Sequence, residues 1–425
     1  MTTTQTRPGI RRQTPLALFR LRFLAFMAVL GPGFITANVD NDPGGILTYS
    51  QAGARFGYSL LWTLVPTTIA LIVVQEMAAR MGAVTGKGLS DLIREEFGLR
   101  ATFFTMLVLG IADLGNIAAE FAGIASAAGI FSISKYIVVP IGAALVWVVV
   151  VQGSYKFVER ILLVFSLIYF TYIGSAILAH PDWRAAVTQT FVPHVARSSD
   201  YLVMIIGLVG TTITPWMQFY LQASIVEKGI GPREYGLSRW DVIVGCIVTD
   251  VVAFFIVVAC AATLYVSGTH DIADAADAAR ALVPLAGRFA GALFAIGLLN
   301  AALLSAAILP LATSYNICEG LGFESGLDKK FGEAPVFYWL YSALIIIGAG
   351  FVLTPGLPLI KVILFSQVAN GILIPFVLFY MLKLVNRQDL MGRYKNSRLA
   401  NTIAGATSVI MVVLTIALIW VTLFS

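Results

Sequence analysis

Asp42 lies in the sequence TANVDNDPGG, residues 36–45, which interrupts the first long apolar segment of the chain. Apolar residues begin at about Leu21 and continue after the interruption through Ile46 and Leu47. A membrane-spanning helix here would carry the carboxylate of Asp42 deep into the bilayer. A charge at that depth is costly and usually belongs to a functional site. The stretch therefore predicts a site for a cation.

The residues after Asp42 predict that the helix breaks beside this carboxylate. Pro43 lacks a backbone N–H and clashes with the preceding turn, while Gly44 and Gly45 permit almost any backbone dihedral angles. Interrupted backbone at membrane depth is tolerated only where it lines a cavity or packs against protein. We therefore expect free backbone carbonyl groups and the carboxylate to face a common cavity.

A second interruption is expected at GTTITPW, residues 210–216, where Pro215 follows a polar run inside another apolar segment. The two interrupted segments are the first and the sixth predicted spans, so they occupy corresponding positions in two sets of five helices. Paired interruptions of this kind indicate a transporter site between two inverted repeats. A Thr-Pro pair alone more often marks a kink that only shapes packing.

The composition places these segments in a membrane. Hydrophobic residues make up 58% of the 425 residues and charged residues only 12%, and the mean hydropathy is +0.86. These values exclude a soluble globule and predict an all-α polytopic membrane protein. The three cysteines have no CxxC spacing, so neither a disulfide framework nor a zinc site is indicated. The bilayer is the expected partner, with no nucleic acid and no obligate protein partner indicated.

Eleven segments, α1 to α11, are long enough to cross a bilayer. They are expected at about 22–53, 59–81, 101–131, 135–153, 158–180, 201–226, 240–267, 284–316, 334–354, 358–384 and 399–424. With the amino terminus in the cytoplasm, most of the 28 Lys and Arg residues fall on the cytoplasmic side. The positive-inside rule therefore favours a cell-membrane protein with an odd number of spans and a cytoplasmic amino terminus.

These spans predict five regions along the chain. They are a basic cytoplasmic arm at 1–21, a first repeat of α1 to α5 at 22–180, an extracellular loop at 181–200, a second repeat of α6 to α10 at 201–386, and α11 within 387–425.

Several ordered motifs resemble those of the NRAMP family of divalent-metal transporters (natural resistance-associated macrophage proteins). They are GPGF at 31–34, DPGG at 42–45, GARFGY at 53–58, TGKG at 85–88, AEF at 119–121, and SQV at 366–368 followed by NG at 370–371. The resemblance covers nearly the whole chain. It implies the leucine-transporter fold, with two inverted five-helix repeats plus an eleventh helix and a metal ion bound between the broken α1 and α6.

Two departures from the family pattern concern the metal ligands. Gly45 stands where the family has an Asn ligand, and Thr214-Pro215-Trp216 replaces Met-Pro-His. Losing the sulfur favours hard cations such as Mg²⁺ over soft ones. The smaller side chains leave room for the water molecules that Mg²⁺ retains. The departures resemble the NRAMP-related magnesium transporters, a branch that carries Mg²⁺ and also Mn²⁺.

The resemblance also implies a set of metal-site residues. Asp42 would supply the anionic oxygen and Thr214 a hydroxyl group, and Thr211 matches the position whose backbone carbonyl faces the ion. Gln367 corresponds to an amide that approaches the metal, and Gly45 matters through the space that it leaves. The ion is transported substrate, and no resident cofactor is expected.

Four further residues are expected in the layer around the ion or along its path: Asn41, Glu120, Trp216 and Asn370. For Asn41 an interhelical hydrogen bond is an equal alternative, for Trp216 simple packing, and for Glu120 a paired structural role. Three other intramembrane acids are expected to be satisfied within the bundle or near an interface: Glu76, Asp113 and Asp250.

The same positions predict transport without proton coupling. Trp216 stands in place of a family His, and Ile117 in place of an Asp. All three histidines fall in predicted outer loops, so no imidazole is available within the membrane to titrate near neutral pH. They are His180, His194 and His270.

Three other functions fit part of the sequence. A proton-coupled Mn²⁺ or Fe²⁺ transporter of the ordinary NRAMP type would need another soft ligand, for which Met217 is the candidate. A sodium-coupled amino-acid transporter would bind a substrate carboxylate, which Asp42 would repel. An intramembrane aspartyl protease is disfavoured because its Gly-x-Gly-Asp sequence is absent, and the chain is not expected to be an enzyme.

Overall fold

The computed structural model describes residues 31, 33, 36, 39, 41–152, 170–196, 198–326 and 329–424. Within these residues the regular structure is entirely helical. Nine helices in this part of the chain are long and apolar enough to cross a membrane. They correspond to nine of the eleven predicted spans. The other two, α1 and α5, lie partly outside the described residues.

The continuous spans follow the prediction within several residues in most cases. Their bounds are Leu64–Thr85 for α2, Leu89–Ile130 for α3, Lys135–Gln152 for α4, Tyr235–Cys260 for α7, Ala290–Leu321 for α8, Pro335–Val352 for α9, Leu359–Val385 for α10 and Arg398–Phe424 for α11. Of α5, the described part is Phe170–Leu178.

The predicted start of α3 near residue 101 lies within a few residues of a kink at Gly98, and the helical segment before that kink was not predicted. The helix begins at Leu89 and turns a corner at Gly98, whose φ of 81° lies in the left-handed region that favours glycine. The segment before the corner is rich in charge, with Asp91 in its first turn. Its hydropathy therefore indicated a loop, although it forms a helix joined to the span through the glycine kink.

The first expected interruption is present in α1. Gly33, Thr36 and Val39 are helical, whereas Asn41 and Asp42 are not. The helix resumes as α1b, Pro43–Phe56, with Asp42 as its N-cap in an extended conformation (φ −69°, ψ 179°). Proline suits the first position of a helix, because the N–H that it lacks would have no partner there.

The second interruption is present in α6. The helix α6a, Ser199–Thr212, ends at Ile213, whose φ of −120° and ψ of 68° are not helical. The helix α6b, Pro215–Glu227, then begins with Thr214 as an extended N-cap (ψ 140°). The two spans that the sequence singled out are therefore both broken.

The first half of α1 is docked on α7 through backbone groups. The N–H groups of Gly31 and Gly33 donate to the carboxylate of Asp241, at 3.2 and 2.8 Å. A Cβ on Gly33 would lie 2.7 Å from the backbone of Val242. Gly33 thus allows close approach to α7, and Gly31 and Gly33 supply donors for Asp241, a residue that the sequence analysis did not identify.

Helix α3 forms the centre of the described bundle, packing along α8 and α10 and contacting α1b at the break. Helix α11 lies at the periphery and exposes large apolar side chains, including Val409, Ile410 and Ile416. Such a surface suits contact with lipid. The three cysteines are free and buried, as expected. All three histidines lie outside the nine long helices, also as expected.

Candidate metal site

Asp42 is held in place by the first turn of the helix that follows it. Its Oδ1 atom accepts a hydrogen bond from the backbone N–H of Gly45 at 2.7 Å, and its carbonyl accepts from Ile46 at 2.9 Å. The residue is only 6% exposed. An anion at a helix N-terminus is stabilised by the helix dipole and by the unpaired N–H groups there. Gly45 therefore contributes a donor to the carboxylate as well as space.

Gln367 of α10 lies against both breaks. A Cβ on Gly44 would collide with the amide Nε2 of Gln367, and a Cβ on Gly210 would collide with the backbone carbonyl oxygen of Gln367. Glycine at both positions therefore lets one residue of α10 approach α1b and α6a closely. The structure thus brings Asp42, Gly45 and Gln367 together. The end of α6a also contacts Gln367, through Gly210.

The α6 break presents hydroxyl groups without partners. The side chains of Thr211 and Thr214 are 1% and 4% exposed, and neither hydroxyl has a hydrogen-bond partner among the described residues. The amide of Asn41 beside the other break is also buried, and it too has no partner in the part of the chain that the structure describes. Buried polar groups are nearly always hydrogen-bonded, so such a group needs an explanation. Carboxylate, hydroxyl and amide oxygens are the ligands that hard divalent cations prefer.

Glu120 of α3 faces Asp42 across the break. It is fully buried, and the Asp42 carboxyl group is the one polar neighbour that is identified for it within the described chain. One turn later, Gly123 packs so closely on Pro43 that a Cβ would collide with the proline ring. Two adjacent carboxyl groups in a dry interior need a cation or a proton between them. Glu120, expected in the surrounding layer, is therefore beside the main candidate ligand.

A hydrogen-bonded chain of amides orients Gln367. Its Oε1 atom accepts from Asn370 at 3.2 Å, and its Nε2 atom donates to Ser366 at 3.1 Å. Asn370 and Asn116 exchange two hydrogen bonds, at 2.9 and 3.0 Å. The atom of Gln367 nearest Gly44 is the donor Nε2, so binding a metal through Oε1 would require the amide to turn. Asn370 therefore contacts Gln367 directly.

Asn116 is a functional candidate that the sequence analysis missed. A signal was available, because Asn116 lies four residues before Glu120 in α3 and two residues four apart share one face of a helix. Its role depends on contact with α10, which the spacing within α3 does not reveal.

The two side chains at the start of α6b have different surroundings. Trp216 is 1% exposed and packs near the ring of Tyr220, with a centroid distance of 5.9 Å. The sulfur of Met217 accepts a hydrogen bond from Gln75 of α2 at 3.9 Å. The alternative soft ligand is therefore directed at α2. No cluster of three or more His, Cys, Asp or Glu side chains occurs in the described part of the chain.

The other intramembrane acids have neighbours within the bundle. Asp113 accepts a hydrogen bond from Thr313 of α8 at 2.8 Å. Glu76 pairs with Arg80 at 3.2 Å. Asp250 of α7 faces Thr68 of α2, but neither of its carboxyl oxygens has a hydrogen-bond partner within the described chain, so its expected pairing is not seen. The expected structural roles of Asp113 and Glu76 are thus supported by specific partners.

A cavity of about 700 Å³ extends between α1b, α6a and α10. Thr48, Gly207 and Val368 line it, and each lies within about two turns of a residue at the breaks. Near its rim Arg55 pairs with Asp200 at 2.6 Å and with Asp271 at 3.7 Å. The cavity is a candidate entrance from this end of the bundle.

The acids in the segment between α7 and α8 have partners close by in the structure. Asp271 pairs with Arg55, and Asp277 pairs with Arg280 at 3.3 Å. Asp274 accepts from the N–H of Asp277 at 3.0 Å as the N-cap of a short helix. These acids therefore have local structural partners.

The chain resembles known transporters along most of its length. A divalent metal cation transporter MntH from Ralstonia nicotianae is 30% identical over 92% of this chain and 90% of that protein. The crystal structure of the Eremococcus coleocola manganese transporter, in complex with an aromatic bis-isothiourea compound, superposes with a TM-score of 0.78. It is 22% identical and covers 98% of this chain and 88% of its own.

A more distant structure extends the comparison of folds. Mhp1, a nucleobase-cation-symport-1 family transporter in a closed conformation, gives a TM-score of 0.59 at 14% identity, covering 92% of each chain. Together the two structures confirm the predicted leucine-transporter fold.

The family described as natural resistance-associated macrophage protein-like (Nramp) matches residues 33–421. This kinship with transporters confirms that the chain is not an enzyme and that it has no cofactor-dependent chemistry. The chain belongs to the Nramp family.

Proposed function

We propose that the chain transports divalent metal cations across the cell membrane by alternating access, carrying Mg²⁺ and also Mn²⁺. The observation that carries the proposal is the group of buried oxygen donors at the two breaks. Asp42 supplies the charge, and the unpartnered hydroxyls of Thr211 and Thr214 lie at the opposite break. The names of the curated relatives, divalent metal cation transporters, support the same class of substrate.

The donor chemistry supports Mg²⁺ in particular. No sulfur is available from Thr214, and the sulfur of Met217 is engaged by Gln75 of α2. Oxygen ligands suit Mg²⁺, which also keeps several of its water molecules. Asp42 would bind the ion, directly or through water, with the carboxyl oxygen that Gly45 leaves free.

The end of α6a offers further oxygen donors. The last carbonyl groups of a helix have few intrahelical partners and carry the negative end of the helix dipole. Of these, the carbonyl of Val209 accepts from Ile213 at 2.9 Å. We assign the backbone carbonyl of Thr211 to the ion, as the family resemblance implies.

We propose that this transport is not coupled to protons. The positions of Ile117 and Trp216 are apolar and buried, and the histidines lie outside the long helices. An inside-negative membrane potential would drive the uptake of a divalent cation with about 4 to 5 kcal/mol per 100 mV.

One observation favours the alternative, a proton-coupled Mn²⁺ or Fe²⁺ transporter. Glu120 and Asp42 face each other, so the pair can hold a proton that an arriving cation would displace. Coupling through these carboxyl groups would need no histidine.

Proteoliposomes that contain a pH-sensitive dye distinguish the two mechanisms. Uncoupled transport gives Mg²⁺ and Mn²⁺ uptake with no acidification, whereas coupled transport acidifies the interior in proportion to uptake. Glu120→Gln should leave uncoupled uptake largely intact. Loss of uptake in this variant, together with acidification in the unmodified protein, would establish the alternative.

We also assign the amino terminus to the cytoplasm and the two repeats to residues 22–180 and 201–386. The support is the excess of Lys and Arg on the cytoplasmic side of this topology. A Thr3→Cys variant in intact cells should react with membrane-permeant maleimides and not with impermeant ones. The reverse pattern of labelling would invert the topology.

A further inference from the structure

A second cavity, of about 450 Å³, lies between α2, α7 and α11. It is formed at the end of the bundle where α2 finishes and where α7 and α11 begin. Residues from α2, from the start of α7 and from the segment leading into α11 line it, and four of them are basic: Arg80, Arg239, Arg393 and Lys395.

The cavity carries an excess of positive charge. Arg239, Arg393 and Lys395 are exposed, and no carboxylate lies within ion-pair distance of them among the described residues. The one acid that lines the cavity is Glu76. It is already engaged by Arg80 at 3.2 Å and by the hydroxyl of Tyr235.

The basic groups belong to a structured site. Arg80 is largely buried and donates to the side chain of Asn396, and its Nε atom has no partner among the residues that the structure describes. The guanidinium of Arg393 lies 5.0 Å from the centre of the Tyr394 ring and donates to its hydroxyl at 2.9 Å. Asn396 also donates to Asn401 of α11 at 2.8 Å. These contacts fix part of the cavity wall around the buried Arg80.

The cavity also has an apolar wall, to which α2, α7 and α11 contribute Ile72, Ile243 and Ile403. Each of these residues lies farther into its span than the basic residue of the same region. Near the start of α7, Trp240 is 60% exposed. Exposed tryptophan side chains are typical of the membrane interface. A free phosphate would use only the basic groups, whereas a phospholipid would also use the apolar wall.

We propose that this cavity binds an anionic phospholipid. Its phosphate would contact Arg80, Arg239 and Arg393, and its acyl chains would follow the apolar wall between α2, α7 and α11. Basic pockets between membrane helices are suited to such headgroups. The lipid would join the peripheral α11 to the rest of the bundle. The proposal does not depend on which cation is transported.

The test compares two triple variants of the full chain in detergent. Arg239→Gln, Arg393→Gln and Lys395→Gln together remove three charges from the cavity. Arg100→Gln, Arg233→Gln and Lys383→Gln remove three exposed charges from the same end of the bundle outside the cavity. Native mass spectrometry measures retained dioleoyl-phosphatidylglycerol, and the melting temperature is recorded with and without that lipid.

The unmodified protein and the control variant should retain the anionic lipid and melt at a higher temperature with it, but not with dioleoyl-phosphatidylcholine. Each basic residue near an anionic headgroup contributes about fivefold in affinity, equivalent to about 1 kcal/mol, so the cavity variant should bind about 100-fold more weakly. If that variant does not fold, Arg239→Lys with Arg393→Lys replaces it, and most of the stabilisation should persist.

Three results would overturn the proposal. They are equal retention of the two lipids, equal loss in the two triple variants, and full stabilisation by glycerol phosphate alone. The last result would assign the basic groups to a soluble phosphate.

Discussion

The two helix breaks have similar backbones and use their side chains differently. Asp42 and Thr214 are both extended N-caps followed by proline. Asp42 accepts a hydrogen bond from Gly45, whereas the hydroxyl of Thr214 makes no capping bond. The break in α1 therefore holds the Asp42 carboxylate in place through a hydrogen bond in the next turn. The break in α6 leaves the Thr214 hydroxyl, a neutral oxygen ligand, without a capping bond. We infer that the first anchors the ion and that the second sets which ion is accepted.

The largest effect is expected from removing the anchor. Asp42→Ala removes both the charge and the cap, and Asp42→Asn removes the charge while keeping a good N-cap. Both should weaken Mn²⁺ binding at least about 100-fold by isothermal titration calorimetry, because a charged ligand is lost. Only the alanine variant should also lose about 1 kcal/mol of stability. Near-normal binding by Asp42→Asn would show that the charge of Asp42 is dispensable.

The next effect tests the contact that joins the two breaks. Gly210→Ala drives a methyl group into the backbone of Gln367, and Gly44→Ala drives one into the movable end of its side chain. We expect overpacking to cost about 3 kcal/mol at Gly210 and less at Gly44. Thermal unfolding measures both.

Gln367→Ala supplies the control for these two variants. It should rescue Gly44→Ala, because the colliding amide is removed, and should not rescue Gly210→Ala. Equal rescue of both variants would contradict the geometry.

A smaller effect, in selectivity, is expected when Thr214 is replaced by a soft ligand. Thr214→Met should raise the preference for Cd²⁺ over Mg²⁺ by about tenfold or more, since a thioether favours softer metals. Competition between the ions during uptake into proteoliposomes measures this ratio. Ser224→Met, a substitution elsewhere in α6b, is the matched control. An unchanged ratio in Thr214→Met would place position 214 outside the ion's reach.

The smallest effect is expected from Thr214→Val, which removes the hydroxyl and keeps the shape. Affinity for Mg²⁺ should fall by about tenfold or less, the contribution of one neutral ligand. Stability should stay the same or rise, because a buried hydroxyl without a partner is lost. A marked loss of stability would show that the hydroxyl has a structural partner.

The sequence predicted features that depend on local chemistry. Pro43 and Pro215 act on the turn that they occupy, so both breaks could be placed to the residue. The hydropathy of the spans identified nine helices of the described chain. The charged start of α3 was not predicted because residues 89–97 are too polar to read as a membrane span. Hydropathy does not separate a polar helix at the membrane surface from a loop, and Gly98 is the one residue that indicates the corner.

Long-range pairings could not be predicted in the same way. Asn116 and Asn370 are separated by most of the chain, and their two hydrogen bonds depend on which faces of α3 and α10 meet. The cap that Asp241 forms on Gly31 and Gly33 depends likewise on packing between α1 and α7. The direction of the Gln367 amide follows from Asn370. None of these is set by the spacing of residues within one helix.

Gln367 contacts Gly44 through its side chain and Gly210 through its backbone. The half-helices α1b and α6a therefore pack against the same residue of α10. A rotation of α10 that relieves one contact must alter the other in the same movement. The two half-helices that line the 700 Å³ cavity would thus move together through ordinary steric exclusion, with no separate relay between them.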